Sequence, residues 1–533
     1  MINKKEIKFD GVARAHLAEG VKKVSQVAGA TMGRMGKFTI IGLQFGSPKV
    51  TKDGYYSIRN IKLEDKFENE GCELAKEGAR KIAEEAGDGT TTYTVLLNAI
   101  IQKGLSAMAS DRNPREIKKG IDKAVKIICN NLKTMAVKID KDSDMIERVA
   151  TISANNDPEI GGHIADAMKK LKNNGMITVD ESNTGESYID IVEGMKIDRG
   201  YISPYFITNP DKMECILENP YILMHDDQIS GIKPILNILE EVTKEGRALL
   251  IVAKDVNNEA LATIIQNKVK GGLQLACIHA PGMGASMADE LEDVALITGG
   301  TVVSETVGTN LESCSIDMLG QADKVIIKRH NTVFVGGKGH KDLIETRIKA
   351  VEKMIEGITE PYAKEVVEKR LANIDGGVAV YHVGGATPSE VGEKKDLIED
   401  AIAATKSAVE MGVVPGGGSS LALSISCLDK SMEEWNDEAI GVSIVRDALK
   451  APLKQIMENA GLTGDTILDK VLESNVSNAG YDLSKGEICD MMKEGILDTA
   501  KVEICALTNA ASVANMILMG ATVLVDKEEV END

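Results

Sequence analysis

A short stretch rich in glycine and threonine carries the residues best suited to chemistry in this chain. It spans residues 87–92, reads GDGTTT, and is followed by an apolar run at 95–101. Glycines let a backbone approach phosphate oxygens, and threonines at a helix start leave N–H groups that attract an anion. Asp88 stands where its carboxylate could hold a magnesium ion against that phosphate. A simple Asp-Gly turn capped by threonine is the alternative, and the stretch by itself leaves both open.

A second isolated carboxylate lies at the end of a predicted strand. The segment 50–54 reads VTKDG, so Asp53 enters a turn directly after Lys52. Taken alone, Asp53 is a turn-forming residue as readily as a functional one.

The elements that must position these carboxylates follow from hydrophobic periodicity and glycine punctuation. Residues 10–32 predict an amphipathic helix that ends in a glycine loop, and residues 37–41 predict a strand. Residues 63–135 predict helices that are interrupted at 87–89 and at 113–114. The first part of the chain is therefore expected to be mostly helical.

The middle of the chain has a different pattern of predicted secondary structure. Residues 195–375 alternate predicted strands and helices, which indicates an α/β domain. Gly194 and the pair 376–377 flank it as candidate pivots. After a second glycine loop at 412–418, helical patterns run to about residue 520. This order predicts an α/β module inserted into a helical one.

Length and charge limit the classes of protein to consider. A chain of 533 residues is too long for one hydrophobic core and predicts about three domains. Hydrophobic residues make up 43% and charged residues 27%, as in an ordinary soluble globular protein. The formal net charge of -20 argues against general nucleic-acid binding, because phosphate contacts need a basic face.

Cysteine spacing and hydropathy argue against disulfide, zinc and membrane proteins. The eight cysteines are scattered singly without a C-x-x-C pair, which predicts reduced thiols in a cytosol-like compartment. The seven histidines are equally dispersed, so none is assigned to a metal. The most apolar segment, 510–525, contains Asn515 and Gly520 and is shorter than the roughly 20 residues that span a bilayer. No targeting signal follows Met1, and we expect no membrane association.

Several motifs, taken together in their order and spacing, resemble the GroEL-type (group I) chaperonins. The matching segments are 50–54 (VTKDG), 88–92 (DGTTT), 151–155 (TISAN), 198–201 (DRGY), 203–206 (SPYF), 416–418 (GGG) and 495–498 (GILD). The similarity runs from about residue 6 to about residue 525. The combined set favours the phosphate-binding interpretation of the glycine–threonine stretch over the simple turn.

The resemblance implies a multidomain fold with a specific division of the chain. A mostly α-helical equatorial domain would comprise residues 1–135 and 411–533. A small α/β intermediate domain would comprise residues 136–192 and 378–410, and an inserted α/β apical domain residues 193–377.

The resemblance also implies which residues bind and hydrolyse ATP. Asp88 is the implied Mg²⁺ ligand, and Asp400 and Asp53 are the implied hydrolytic carboxylates, with Asp400 arriving from the intermediate domain. The other implied nucleotide-binding positions are Thr31, Met32, Gly33, Arg34, Lys52, Gly89, Thr90, Thr91, Thr92, Ser153, Gly417, Asp482, Leu483, Ser484 and Asp498. Phosphoryl transfer to water needs positioning and charge neutralisation, so carboxylates with a metal suffice. ATP and Mg²⁺ are the expected cofactors, and K⁺ is a further candidate cation.

The resemblance leads to a different interpretation of two apolar stripes in the α/β module. They lie at residues 232–239 and 261–265, and such a stripe usually faces a core. The resemblance instead implies a groove that captures non-native polypeptides by burying exposed apolar side chains. The implied contact positions are Tyr201, Ser203, Tyr205, Phe206, Leu236, Leu239, Leu261 and Ile265.

Some positions depart from the family pattern. Arg34 replaces a proline in the phosphate loop, which predicts an added guanidinium facing the phosphates. Gln266 makes the groove more polar, and Asp482 with Leu483 replaces an Asn-Ala pair beside the base. Pro388 replaces an acidic residue of an inter-domain salt bridge. We expect a divergent member, encoded by a large phage or a secondary gene copy, in the bacterial or phage-infected host cytoplasm.

The sequence leaves three hypotheses for the function of the protein. The leading hypothesis is an ATPase that forms sevenfold single or double rings and encloses unfolded proteins, with a GroES-type co-chaperonin as a candidate partner. A passive holdase with little ATP turnover is the alternative, although it would not require Asp53, Asp88 and Asp400 together. A small-molecule phosphotransferase lacks a second pocket motif. Ring assembly is expected from the strand-like segments 37–41 and 519–525, whose edges would pair with neighbouring subunits.

Overall fold

The chain divides into two compact units. The computed structural model describes residues 4–42, 48–108, 112–139, 144–154, 157–171, 176–182, 185–210, 212–271, 274–282, 284–358, 360–432 and 436–526. One unit comprises Met1–Ala165 with Ala386–Asp533, and the other comprises Asp166–Gly385. The predicted insertion of an α/β module into a helical one is confirmed, whereas the finer division into three domains stays a prediction.

The N-terminal segment is mostly helical. Its elements are β1 (Lys5–Phe9), α1 (Asp10–Thr31), β2 (Thr39–Ile41), β3 (Lys49–Thr51), α2 (Gly54–Arg59), α3 (Lys66–Glu85), α4 (Thr90–Met108), α5 (Pro114–Met135), α6 (Asp144–Ser153) and α7 (Pro158–Lys170). The helix predicted at 10–32 and the breaks at 87–89 and 113–114 are confirmed, because glycine and an Asn-Pro cap interrupt otherwise continuous helical patterns.

The second unit alternates strands and helices. Its elements are β4 (Met176–Glu181), β5 (Tyr188–Val192), β6 (Gly194–Ile197), β7 (Cys215–Glu218), β8 (Tyr221–Ile229), α8 (Leu236–Glu245), β9 (Leu249–Val256), α9 (Asn258–Gly271), β10 (Leu275–His279), α10 (Ala285–Thr298), β11 (Val302–Val303), β12 (Gly320–Ile327), β13 (Thr332–Gly337), α11 (Lys341–Gly357), α12 (Pro361–Asp375) and β14 (Val378–Val383). Short 3₁₀ turns lie at Pro204–Phe206, Lys233–Ile235, Glu305–Val307, Leu311–Ser313 and Ile316–Met318. The stripe at 232–239 therefore starts as a 3₁₀ turn, and α8 begins only at Leu236.

Two sheets organise the second unit. The larger follows the order β10-β9-β8-β12-β13-β6, with β11 paired to β8 and β7 to β12. Strands β8, β9 and β10 are parallel and carry continuous apolar runs such as Leu249–Ala253, which are fully buried. A three-stranded sheet has the order β4-β14-β5.

The C-terminal segment completes the first unit. Its elements are α13 (Pro388–Met411), β15 (Val413–Pro415), α14 (Ser419–Leu423), a 3₁₀ segment (Ser424–Met432), α15 (Asp437–Ala448), α16 (Ala451–Asn459), α17 (Gly464–Glu473), β16 (Ala479–Asp482), β17 (Glu487–Asp490), α18 (Met491–Glu494), β18 (Leu497–Thr499), α19 (Ala500–Met519) and β19 (Thr522–Asp526). Antiparallel pairs join β1 to β19, β2 to β3, β15 to β18 and β16 to β17. The two ends of the chain therefore meet in one unit.

The core of the first unit is aliphatic and contains α19. This helix is long and apolar enough to cross a bilayer by length and composition, but 67% of its apolar window is buried inside the protein. It packs with α4, α5 and α3. We interpret α19 as a core helix. The acidic tail noted in the sequence, 527–533, lies outside the described residues.

Candidate functional site

The glycine–aspartate loop between α3 and α4 lines a cavity of about 520 Å³ in the first unit. Gly87 and Gly89 have φ values of +75° and +90°, which L side chains rarely adopt. A Cβ atom on Gly87 would overlap Ala403 of α13, and one on Gly89 would overlap Val502 of α19. The backbone of the loop thus packs directly against side chains of α13 and α19, which fixes the position of Asp88.

Asp88 lines this cavity and is half-buried. Burial raises the pKa of its carboxyl group, and a hydrogen bond from the Gly89 N–H opposes that rise. The residues Thr90–Thr92 form the first turn of α4 and line the same cavity. Helix N-terminal N–H groups at this position suit an anion.

Asp53 caps α2 and also lines the cavity. Its Oδ1 accepts a hydrogen bond from the Tyr55 N–H at 2.8 Å, and its Oδ2 accepts one from the Tyr56 N–H at 3.2 Å. Burial raises the pKa of Asp53, while these two bonds lower it. A Cβ atom on Gly54 would overlap Thr91 Oγ1, so α2 begins against the threonine stretch. Asp53 therefore caps a helix and lines the cavity, and its functional role stays a prediction.

Helix α13 brings Asp400 to the same cavity. The helix is anchored beside the glycine loop by Ser407, whose Oγ donates to the Ala86 carbonyl at 3.0 Å. Burial raises the pKa of Asp400 well above that of a free aspartate, and the neighbouring carboxylates of Asp53 and Asp88 raise it further. Three carboxylates that are distant in sequence thus share one site.

The loop after α1 forms another wall, with Thr31, Met32, Gly33 and Arg34 in the lining. Lys52 Nζ donates to the Arg34 carbonyl at 3.1 Å, and burial lowers the pKa of Lys52. The Arg34 guanidinium donates to Ser484 Oγ. The sequence predicts a guanidinium facing phosphates, whereas in the structure it links this loop to the turn between β16 and β17.

That turn supplies the wall opposite the carboxylates. Asp482 is buried, and its Oδ1 accepts a hydrogen bond from the Ser484 N–H at 2.7 Å. Leu483 packs against a small apolar cluster that includes Leu453 and Met457. These contacts hold the backbone of 482–484 at the cavity edge.

Asp498 and Gly417 come together through strand pairing. Val414 of β15 pairs with Asp498 of β18, and the N–H groups of Gly417 and Gly418, which follow β15, lie beside the Asp498 carboxylate and lower its pKa. Ser153, at the end of α6, lines the same cavity. Asn155 of the same sequence motif lies outside the described residues.

Two acidic residues of the cavity lining were not identified as site residues from the sequence. Asp396 lies one helical turn before Asp400 on α13, and its Oδ2 is 3.9 Å from Lys49 Nζ. Glu503, in the first turns of α19, is 3% exposed and lines the cavity. Two signals could have identified them: the i, i+4 spacing from Asp400, and the isolation of Glu503 as the sole charged residue between 502 and 525.

The charge of the lining fits a cation. Among the described lining residues the acidic ones are Asp53, Asp88, Glu393, Asp396, Asp400, Asp482, Asp498 and Glu503. The basic ones are Arg34, Lys49 and Lys52. Like charges in a buried site resist ionisation unless a cation or protons compensate them. Because carboxylate oxygens are the ligands that Mg²⁺ prefers, Asp88 and its neighbours fit that ion.

The second unit contains the residues implied in polypeptide capture, and they differ in exposure. Tyr205 is 70% exposed and Leu236 is 44% exposed. The half-buried residues, which pack on the unit's core, are Tyr201, Leu261 and Ile265. The buried ones are Ser203, Phe206 and Leu239, and Ser203 caps the 3₁₀ turn that carries Tyr205. Only part of the implied set therefore offers surface.

The nested fold and its acidic, glycine-walled cavity are those of a chaperonin subunit. The chain belongs to the TCP-1/cpn60 chaperonin family, whose family model matches residues 24–528. This confirms the family resemblance stated from the sequence.

Two solved structures show the same fold. Both are of the chaperonin gp146 from the bacteriophage EL 2 (Pseudomonas aeruginosa), in the presence of ATP-BeFx. In crystal form II the TM-score is 0.68 at 23% identity, covering 98% of this chain and 99% of that one. In crystal form I the TM-score is 0.63 at 22% identity, with the same coverage.

The carboxylate cluster predicts an unusual dependence of stability on pH. Burial, with the nearby Asp88, raises the pKa of Asp498 to about 6, whereas an unfolded aspartate titrates near 4. Between these values the folded state binds a proton that the unfolded state lacks, so stability rises as pH falls through 6. Without nucleotide or Mg²⁺, we expect the free energy of unfolding to rise by roughly 1 kcal/mol from pH 7.5 to 5.5. Thermal unfolding across this range measures the change. Asp498→Asn should reduce the rise without abolishing it, because the other carboxyl groups with raised pKa values remain. A wild-type stability that falls from pH 7.5 to 5.5 contradicts the assignment.

Proposed function

We propose that this chain is a ring-forming, Mg²⁺-dependent ATPase that captures non-native polypeptides and promotes their folding in a central cavity. The observation that carries the proposal is the meeting of Asp53, Asp88 and Asp400 in one buried, glycine-walled cavity. Membership of the chaperonin family supports it.

Different residues that line the cavity would have different roles in phosphoryl transfer. The N–H groups of Thr90–Thr92 at the start of α4 would hold phosphate oxygens. Mg²⁺ bound by Asp88 would neutralise charge on those phosphates. Asp400 would orient the attacking water and accept its proton, with Asp53 beside it.

The remaining lining residues would hold the nucleoside. Gly417 and Asp498 would contact the ribose, and the segment 482–484 would border the base. Lys52 and the loop that ends at Arg34 would close over the phosphates. K⁺ is a further cation for this acidic site.

Removing the Asp400 carboxylate tests the catalytic assignment. We expect Asp400→Ala to bind ATP with affinity close to wild type and to hydrolyse it about 100-fold more slowly, the usual contribution of a positioned acid or base. Steady-state phosphate release and equilibrium nucleotide binding measure the two effects. Glu410→Ala is the matched control, because it removes an exposed carboxylate of the same helix α13 outside the lining. Wild-type turnover in Asp400→Ala would refute the assignment.

Polypeptide capture is proposed for the exposed part of the apolar stripes. Tyr205 and Leu236 offer surface, and Leu261 and Ile265 lie half-buried. Apolar surface binds unfolded chains without sequence preference, because hydrophobic burial is not directional. The buried Phe206 and Leu239 would support this surface from beneath.

Serine substitution tests whether this surface captures unfolded polypeptides. Leu236→Ser should weaken binding of a chemically unfolded test protein by about fivefold, since burying the 44% of the leucine that is exposed contributes about 1 kcal/mol. Leu343→Ser, at a leucine of α11 that is 52% exposed, should leave binding unchanged. Suppression of aggregation at increasing chaperone concentration gives the comparison. Equal effects of the two variants would count against this surface.

Ring assembly is proposed through the open edges of two-stranded sheets. Strand β2 carries Ile40, which is 72% exposed, and β19 carries Leu524, which is 55% exposed. An apolar strand with an unpaired edge invites a neighbour's strand. Sevenfold single or double rings in the cytoplasm, with a GroES-type lid as a further partner, are the expected assembly.

Native mass spectrometry tests assembly directly. The wild-type chain should form rings, and Ile40→Lys should shift the population to smaller species because it buries a charge at the contact. Leu472→Lys, at a leucine of α17 that is 40% exposed, should keep the ring. A wild-type ring without ATP turnover would favour the passive holdase, and a wild-type monomer would contradict the proposal.

A further inference from the structure

A buried carboxyl pair lies beside the candidate nucleotide site. Glu503 is 3% exposed at the start of the otherwise apolar helix α19, and it lines the cavity. Its carboxyl group is hydrogen-bonded to that of Asp498. No N–H or hydroxyl group of the described residues hydrogen-bonds to the buried Glu503 Oε2. A carboxylate can only accept hydrogen bonds, so this pair must contain one proton.

The surroundings decide which member carries that proton. The N–H groups of Gly417 and Gly418 lie beside the Asp498 carboxylate and favour its charged form. Glu503 Oε2 has no donor among the described residues, and its side chain is almost completely buried, which favours the neutral form. Glu503 is therefore the donor and Asp498 the acceptor.

The donors approach Asp498 from two different elements. Gly417 and Gly418, with φ values of +65° and +74°, follow β15, whereas Glu503 belongs to α19. The Gly416 N–H donates to the Ile496 carbonyl at 3.0 Å and fixes the glycine turn against the strand that carries Asp498. A carboxylate held from both sides has little freedom to rotate, and its remaining lone pairs are available to the cavity that it lines.

We propose that Glu503 is a positioning residue that, as a neutral acid, donates a hydrogen bond to Asp498 and holds that carboxylate ready to accept hydrogen bonds from the ribose hydroxyls of a nucleotide. The inference rests on the proposed function, because it takes a ribonucleotide as the ligand of this cavity. It makes the pair Asp498–Glu503 a determinant of preference for ribose over deoxyribose.

The experiment compares ATP and 2′-deoxy-ATP binding to the full-length protein by isothermal titration calorimetry. Wild type should bind ATP roughly tenfold more tightly, the worth of one hydrogen bond to a charged group. Glu503→Gln keeps an N–H donor for Asp498 and should retain that ratio. Glu503→Leu has similar volume but no donor, so its ratio should approach one, mainly through weaker ATP binding.

Two further measurements separate positioning from packing. Asp498→Asn should lose the same discrimination, and the double variant with Glu503→Leu should lose no more, because both changes remove one interaction. Infrared difference spectra of wild type against Glu503→Gln at neutral pH should contain the carbonyl band of a neutral carboxylic acid. The infrared comparison does not use the leucine variant, so it tests the proposal even if that variant folds poorly.

The outcomes distinguish this inference from the function on which it rests. Full discrimination in Glu503→Leu, equal losses in the Gln and Leu variants, or no neutral-acid band would overturn the role of Glu503 while leaving ATP binding intact. A wild-type chain that binds neither nucleotide would overturn the proposed function and this inference together.

Discussion

The close approach of the 87–89 backbone to two helices is the constraint on which the site depends. A side chain at Gly87 would overlap Ala403 of α13, and one at Gly89 would overlap Val502 of α19. With glycine at both positions, three segments from the two ends of the chain meet around Asp88. A Cβ atom at either position would force Ala403 or Val502 to move, and would disturb the packing of α13 or α19 against the loop that carries Asp88. These two positions therefore require glycine because it has no Cβ atom.

Convergence of the carboxylates has an electrostatic cost. Burial raises the pKa of Asp53, Asp88 and Asp400, and for Asp400 the other two carboxylates add to the effect. Groups held away from their preferred ionisation mark functional sites more often than structural ones. The aliphatic core around α4 and α19 must offset this cost. A cation at Asp88 would relieve this repulsion.

Local patterns predicted the fold well but could not find every contact of the site. Helix α1 and the break at 87–89 follow from periodicity and glycine, which act over a few residues. The roles of Asp88 and Asp400 came from a set of motifs, and the structure brings both into one cavity. The bond from Arg34 to Ser484 crosses 450 positions of sequence, and no local pattern encodes it. Glu503 was visible only as a lone charge in an apolar helix.

The second unit explains why an apolar stripe can serve a core and a binding surface at once. Leu236 and Leu239 are one turn apart on α8, yet the first is 44% exposed and the second 8%. The stripe is wider than the surface that the core can cover, so its margin stays in solvent. Leu239 is buried and packs α8 on the core, while the margin of the stripe stays exposed. On α9 that margin includes the exposed Gln266, so the available surface is narrower than the stripe alone predicts.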